Sequence, residues 1–134
     1  MKVVRLDEES LLASEPQTFG GPTVGETEQF QVQFLLNDRR ATLALEAFAA
    51  NSTVNWAFWH DEVHYITRGT ATAEYTLGPN HIKRVTKTFT AGDAYLIPNG
   101  ARVRFEIGDE PYVHFCVIMP RFEYDRDERN DSYE

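Results

Sequence analysis

A single cysteine, Cys116, stands in the 134 residues, so no internal disulfide can form. A lone thiol suits a reducing compartment and leads us to expect a cytoplasmic protein. Basic residues are scarce as well: 13 Lys and Arg face 21 Asp and Glu, for a net charge of −8. With no run of Lys or Arg to override it, that balance repels phosphate backbones and anionic headgroups, which argues against nucleic-acid and membrane partners. No apolar stretch reaches the roughly 18 residues a membrane helix needs, and no basic-then-apolar leader opens the chain. Helical periodicity is weak throughout, apart from one helical turn expected at Ser10–Ala13. What the chain does have is 42% hydrophobic residues, enough for one domain to bury a core without metal or disulfide staples.

That hydrophobic content is arranged with period two. β-Branched and aromatic residues alternate with polar ones in short runs bounded by turn residues, the pattern of half-buried strands. Strands are expected at Val3–Leu6, Phe30–Leu36, Ala41–Phe48, Val54–His60, Glu62–Thr67 and Thr70–Thr76. Others follow at Lys83–Phe89, Ala94–Ile97, Arg102–Ile107 and Tyr112–Met119. Asn37-Asp38, Asn51-Ser52 and Gly78-Pro79-Asn80 mark turns between them. Roughly ten strands at this spacing suit an all-β sandwich or barrel. Residues 1–29 read as a strand-and-loop arm, with Pro16, Gly20, Gly21, Pro22 and Gly25 making Glu15–Gly25 a loop. Residues 30–120 form the barrel, and the charge-dense segment 121–134 reads as a surface tail.

Two spaced groups of residues sharpen this picture. Glu62 is followed after six residues by Gly69, and Gly92 is followed after five by Pro98, then one residue and Gly100. Gly69 and Gly92 permit tight turns at strand ends, and Pro98 fixes φ where a strand finishes. In this order and spacing the groups resemble the two halves of the cupin signature. The resemblance implies a double-stranded β-helix, or jelly-roll, barrel with a small-molecule site inside.

None of the metal-binding histidines of that signature has a counterpart. Its His-x-His pair falls on Asn55/Ala57 or on Trp56/Phe58, and its later histidine falls on Val103. His60, Glu62 and His64 alternate instead, so on an extended strand all three project to one face, where His60 and Glu62 can share an ion. With Glu62 and Tyr95 the chain is similar to ectoine synthases, cupins in which a glutamate and a tyrosine at these positions help hold iron. His114 lies on the last strand with Cys116 at the same parity, and both are candidates to face the cavity. Trp56 and Phe58 are either ordinary core or an aromatic cage for a flat or cationic substrate. Arg104, with Arg68 and Arg102, is either a surface residue or an anion clamp.

These residues support two functions. In the first, a divalent metal ion (iron, manganese, nickel or zinc) bound by His60, Glu62, His64 and His114 serves a lyase, isomerase or cyclase acting on a small carbonyl or carboxylate compound. Glu62, His64 and Tyr95 are then the catalytic groups, with Trp56, Phe58, Arg104 and Cys116 around the substrate. In the second, the barrel binds a small molecule without metal; a metal-dependent dioxygenase is a further alternative. A homodimer is expected, with Val3–Leu6 pairing across its interface.

Overall fold

A computed structural model describes residues 1–19 and 27–120. The expected tail 121–134, and residues 20–26 of the expected loop, lie outside the described residues. The chain starts with a five-residue helix, α1 (Glu8–Leu12), followed by β1 (Gln17–Phe19), β2 (Glu28–Asn37), β3 (Thr42–Phe48), β4 (Thr53–Ala57) and β5 (Asp61–Arg68). β6 (Thr70–Thr76), β7 (Arg84–Thr90), β8 (Ala94–Ile97), β9 (Arg102–Ile107) and β10 (Tyr112–Met119) complete the barrel. All pairings are antiparallel, in a six-stranded sheet of order β1-β2-β3-β10-β5-β8 facing a four-stranded sheet of order β4-β9-β6-β7. The non-consecutive neighbours are those of a jelly roll, the architecture that the resemblance implies.

The strands from β2 onward coincide with the expected ones to within a few residues, but the N-terminus does not. Val3–Leu6 forms no strand, and Val3 and Leu6 are exposed. The helix forms instead: the Asp7 carboxylate accepts a hydrogen bond from the Ser10 N–H at 3.0 Å, and Glu8 and Glu9 occupy the first turn, where negative charge is favoured. Leu11 is fully buried with Leu45, Ala47 and Val113, a contact that stabilises by roughly 1.5–3 kcal/mol. This small second core explains why β3 is buried on both faces. Gln17–Phe19, expected within a loop, is a short edge strand, because Phe19 stacks on Phe30 with ring centroids 4.6 Å apart. That stabilisation is tertiary and leaves no period-two trace in three residues.

The main core lies between the sheets, around Phe30, Phe48, Ile66, Phe105 and Tyr112. On the outer side of the large sheet, Leu43, Val117, Val63 and Leu96 pair in one row across β3, β10, β5 and β8. Leu96 in that row and nearby Tyr65 are exposed apolar residues.

Candidate functional site

Strand register assembles the site. Ala44, Cys116, His64 and Tyr95 oppose one another across β3, β10, β5 and β8, and Glu46, His114 and Ile66 form the next row. Directly opposed residues share a face, so one cluster collects Cys116, His64, Tyr95, Glu46 and His114 on the inner side. Glu62, two residues before His64 on β5, joins them; both are buried, whereas Asp61 and Tyr65 of the same strand are exposed.

The buried polar groups are largely satisfied by one another. His64 Nε2 lies 3.1 Å from Glu62 Oε2, and His64 Nδ1 lies 3.1 Å from Tyr95 Oη. Tyr95 Oη is in turn 3.1 Å from Tyr112 Oη. His114 Nε2 lies 3.0 Å from Glu46 Oε2, while His114 Nδ1 is buried with no hydrogen-bond partner among the described residues. The two imidazoles stack, with centroids 4.4 Å apart and planes 22° apart.

Burial sets the protonation states. It lowers the His64 pKa, as does the neighbouring His114, so the His64 imidazole is held neutral. It raises Tyr95 well above the ordinary phenol range, with the adjacent Tyr112 adding to the effect. Tyr112 is pushed up by the same cause. Burial, followed by Glu46 and Glu62, raises Cys116, which keeps the thiol protonated and a poor nucleophile.

His60 is buried but lies in the bend ahead of β5, so the alternation expected on one strand reduces to Glu62 and His64. The ligand atoms that converge are those of His64, His114 and Cys116, all within 4.8 Å of one another; His60 and Glu62 are outside that group. Trp56 and Phe58 are core residues and form no open cage. Trp56 meets Phe30 edge-on at 5.6 Å, and Phe58 meets the His64 ring at 6.2 Å. With Glu46, Glu62 and His64 they border a cavity of about 20 Å³, room for one water and no substrate. Arg104 is on the outer face of the small sheet, 3.2 Å from Glu106, and therefore cannot clamp a substrate inside the barrel.

Two members of the cluster escaped the sequence reading. Glu46 sits in the run Leu45-Glu46-Ala47-Phe48, where a carboxylate flanked by apolar residues on a strand is itself a sign of a buried partner. Tyr112 opens β10 and resembles any core tyrosine; its role follows only from its position beside Tyr95.

A larger pocket of about 180 Å³ lies between the two sheets, bordered by Tyr75, Lys87, Phe89, Ile97 and Phe105, with Tyr95 in its wall. Tyr95 stacks on Phe89 at 4.2 Å and is thus shared between this pocket and the buried network.

The donor set suits a divalent ion. Two imidazoles and a thiol are borderline-to-soft ligands, each imidazole is backed by a carboxylate, and the orphaned His114 Nδ1 is an available lone pair. The stacked rings direct their in-plane lone pairs nearly parallel, however, so sharing one ion requires a ring to turn. No described helix is long and apolar enough to cross a membrane.

No family model and no curated protein matches the chain. Solved structures do. KdgF from Halomonas sp. aligns at 14% identity and a TM-score of 0.57, covering 70% of this chain and 82% of that one. The Drosophila melanogaster CENP-C cupin domain aligns at 19% identity and 0.59, covering 78% and 75%. The Clostridium difficile EutQ protein aligns at 18% and 0.52, covering 69% and 68%. The chain thus has the cupin fold that its paired motifs suggest.

Proposed function

We propose that this chain is an enzyme that moves a proton on a small carbonyl- or carboxylate-bearing substrate, in an elimination, isomerisation or cyclisation. The observation that carries this reading is that Tyr95, in the wall of the 180 Å³ pocket, is hydrogen-bonded to His64, which is in turn bonded to Glu62. The proton arrangement that satisfies each donor has Tyr112 donating to Tyr95, Tyr95 donating to His64 Nδ1, and His64 Nε2–H donating to Glu62. A substrate proton taken up by the Tyr95 oxygen, as the phenol proton passes to His64, ends on an imidazolium held by the Glu62 carboxylate. The reverse transfer returns it to another substrate atom, which is the proton balance of an isomerisation; in an elimination the leaving group takes it. A metal held by His64, His114 and Cys116 would instead supply Lewis-acid polarisation of a substrate oxygen, because a metal-bound His64 nitrogen no longer accepts the Tyr95 proton.

A metal-free binding barrel is the second reading, favoured by the parallel stacking of His64 on His114. The two separate on incubation with a panel of 2-hydroxy and 2-oxo acids in D2O, followed by NMR. Solvent deuterium entering a substrate carbon, and lost in His64→Gln, supports the enzyme. Binding with no exchange or turnover, in wild type loaded with each divalent ion in turn, would sink it.

We also propose that the chain is a homodimer. With Val3–Leu6 not a strand, the interface assigned to it moves to the outer row of Val63, Leu96 and Val117 with Tyr65. Light scattering after gel filtration is expected to give twice the chain mass, falling to one chain mass for Leu96→Glu.

A further inference from the structure

The outer face of the small sheet carries cations that the interior chemistry does not use. Register aligns Ala57, Arg102, Thr76 and Arg84 in one row across β4, β9, β6 and β7, and Asn55, Arg104, Glu74 and Thr86 in the next. Opposed residues share a face, as do residues two apart on a strand, so Arg84, Arg102 and Arg104 all project outward. From strand spacing and rise, their Cα atoms form a triangle with edges of roughly 7, 10 and 12 Å, which long guanidinium side chains can close onto one ligand.

The three arginines border a depression of about 340 Å³ together with Asn55, Thr76 and His81. That volume lies within the range of small-molecule sites, about 300–1,000 Å³. Charge there is unbalanced. Arg84 meets Glu74 at 3.1 Å, Arg104 meets Glu106 at 3.2 Å, and Arg102 has no ion-pair partner among the described residues. Of the two carboxylates only Glu74 lines the depression. Three arginines thus meet two carboxylates on this face, which leaves one guanidinium in excess, that of Arg102, in a chain with 21 acidic residues.

His81 adds to the built character of the place. Its φ of +50° is in the left-handed region, which side-chain-bearing residues seldom adopt. The Leu77 carbonyl accepts its N–H at 3.2 Å, and its Nδ1 lies 2.8 Å from Thr76 Oγ1. The loop after β6 thereby holds an imidazole beside the Arg102–Thr76–Arg84 row.

We infer that this depression binds a phosphorylated small molecule through the guanidinium groups of Arg84, Arg102 and Arg104. A phosphomonoester presents three terminal oxygens and close to two negative charges, the match for several planar forks; a carboxylate occupies one fork only. A nucleic-acid strand needs a track of cations along its backbone, which a net charge of −8 disfavours. The site is on the opposite side of the sheet from the interior and does not depend on the proton-transfer reading.

The test is titration of the full-length, isotopically labelled chain with inorganic phosphate and with glycerol 3-phosphate, followed by NMR. Saturable shifts centred on Thr76, His81 and Arg102 are expected, with affinity at least tenfold weaker in Arg102→Gln and unchanged in Glu62→Gln. Arg102→Lys keeps the charge without the fork and is expected to fall between, which covers the case of a poorly folded Gln variant. Shifts that chloride reproduces at equal ionic strength, undiminished affinity in Arg102→Gln, or tighter binding of a single-stranded RNA than of the phosphomonoester would each overturn the inference.

Discussion

His64 and His114 stack face to face, and each turns its Nε2 toward a different buried carboxylate, Glu62 for one and Glu46 for the other. Two imidazoles this close cannot both carry a charge cheaply, and burial, with His114 beside it, holds His64 neutral. Neutral imidazole is the form that accepts a proton or binds a metal. Each carboxylate also fixes the outward nitrogen of its ring, and with it the atom left to face a ligand.

Glu46→Gln tests this arrangement without touching a metal ligand. It keeps the shape of the side chain and removes the charge behind His114. Zinc affinity measured by competition with a chromogenic chelator is expected to fall 10–100-fold, the usual effect of losing an outer carboxylate. His114→Ala and Cys116→Ser, which remove ligands, are expected to lose near-stoichiometric metal altogether. Equal zinc affinity across wild type and all three variants would remove the metal from the proposal.

The fold was largely legible because the alternation of apolar residues specifies strands whatever surrounds them, and Gly69, Gly92, Pro98 and Gly100 mark turns at fixed spacing. The site was legible only in part. Residue alternation put Glu62 and His64 on one face, but His60 left their strand at the bend, and no local signal marks that bend. Glu46 and Tyr112 became visible only through pairing with His114 and contact with Tyr95, relationships that span 68 and 17 residues. Arg104 was misplaced for a simpler reason: alternation fixes which residues share a face, and choosing between the two faces needs the partner sheet.

Tyr95→Phe removes the one oxygen that joins His64 Nδ1 to the Tyr112 hydroxyl, yet leaves the ring stacked on Phe89. Turnover is expected to drop 10²–10⁴-fold, the range for a positioned proton-transfer group, with little change in KM. The unpaired His64 nitrogen costs about 1–3 kcal/mol, readable in urea unfolding. Tyr112→Phe leaves Tyr95 in place and is expected to lose less activity. Full turnover in Tyr95→Phe would show that protons take another route.

Gly69 and Gly92 both adopt positive φ, +85° and +94°, but their surroundings differ. A Cβ on Gly69 overlaps the carbonyl oxygen of Pro111 and comes within 3.0 Å of the Tyr112 Cα, both backbone atoms that cannot swing aside. A Cβ on Gly92 meets nothing within 4 Å. Gly92→Ala therefore pays only for its left-handed backbone, about 1–2 kcal/mol. Gly69→Ala adds a clash that displaces Tyr112 and is expected to be several-fold more destabilising, with loss of turnover through Tyr95. Equal unfolding midpoints for the two variants would contradict this account.

Asp38 opens the hairpin turn after β2 and is held by Arg40 twice: the guanidinium donates to Oδ2 at 2.9 Å and the backbone N–H to Oδ1 at 2.8 Å. The Arg40 side chain first, and its backbone N–H next, hold the carboxyl well below the ordinary range. A carboxyl depressed in the folded state contributes stability that is present above its unfolded value, about 3.9, and is lost as pH falls toward the folded value. In Arg40→Gln the side-chain donor loses its charge, so the Asp38 titration midpoint is expected to move up and the acid-unfolding midpoint to follow it to higher pH. Carboxyl-carbon NMR reads the first and circular dichroism the second. An Asp38 midpoint that stays put in the variant would mean that the backbone donors of Arg40 and Ala41, with the Lys2 ammonium 3.7 Å away, hold the carboxylate, and the acid transition would then be unchanged.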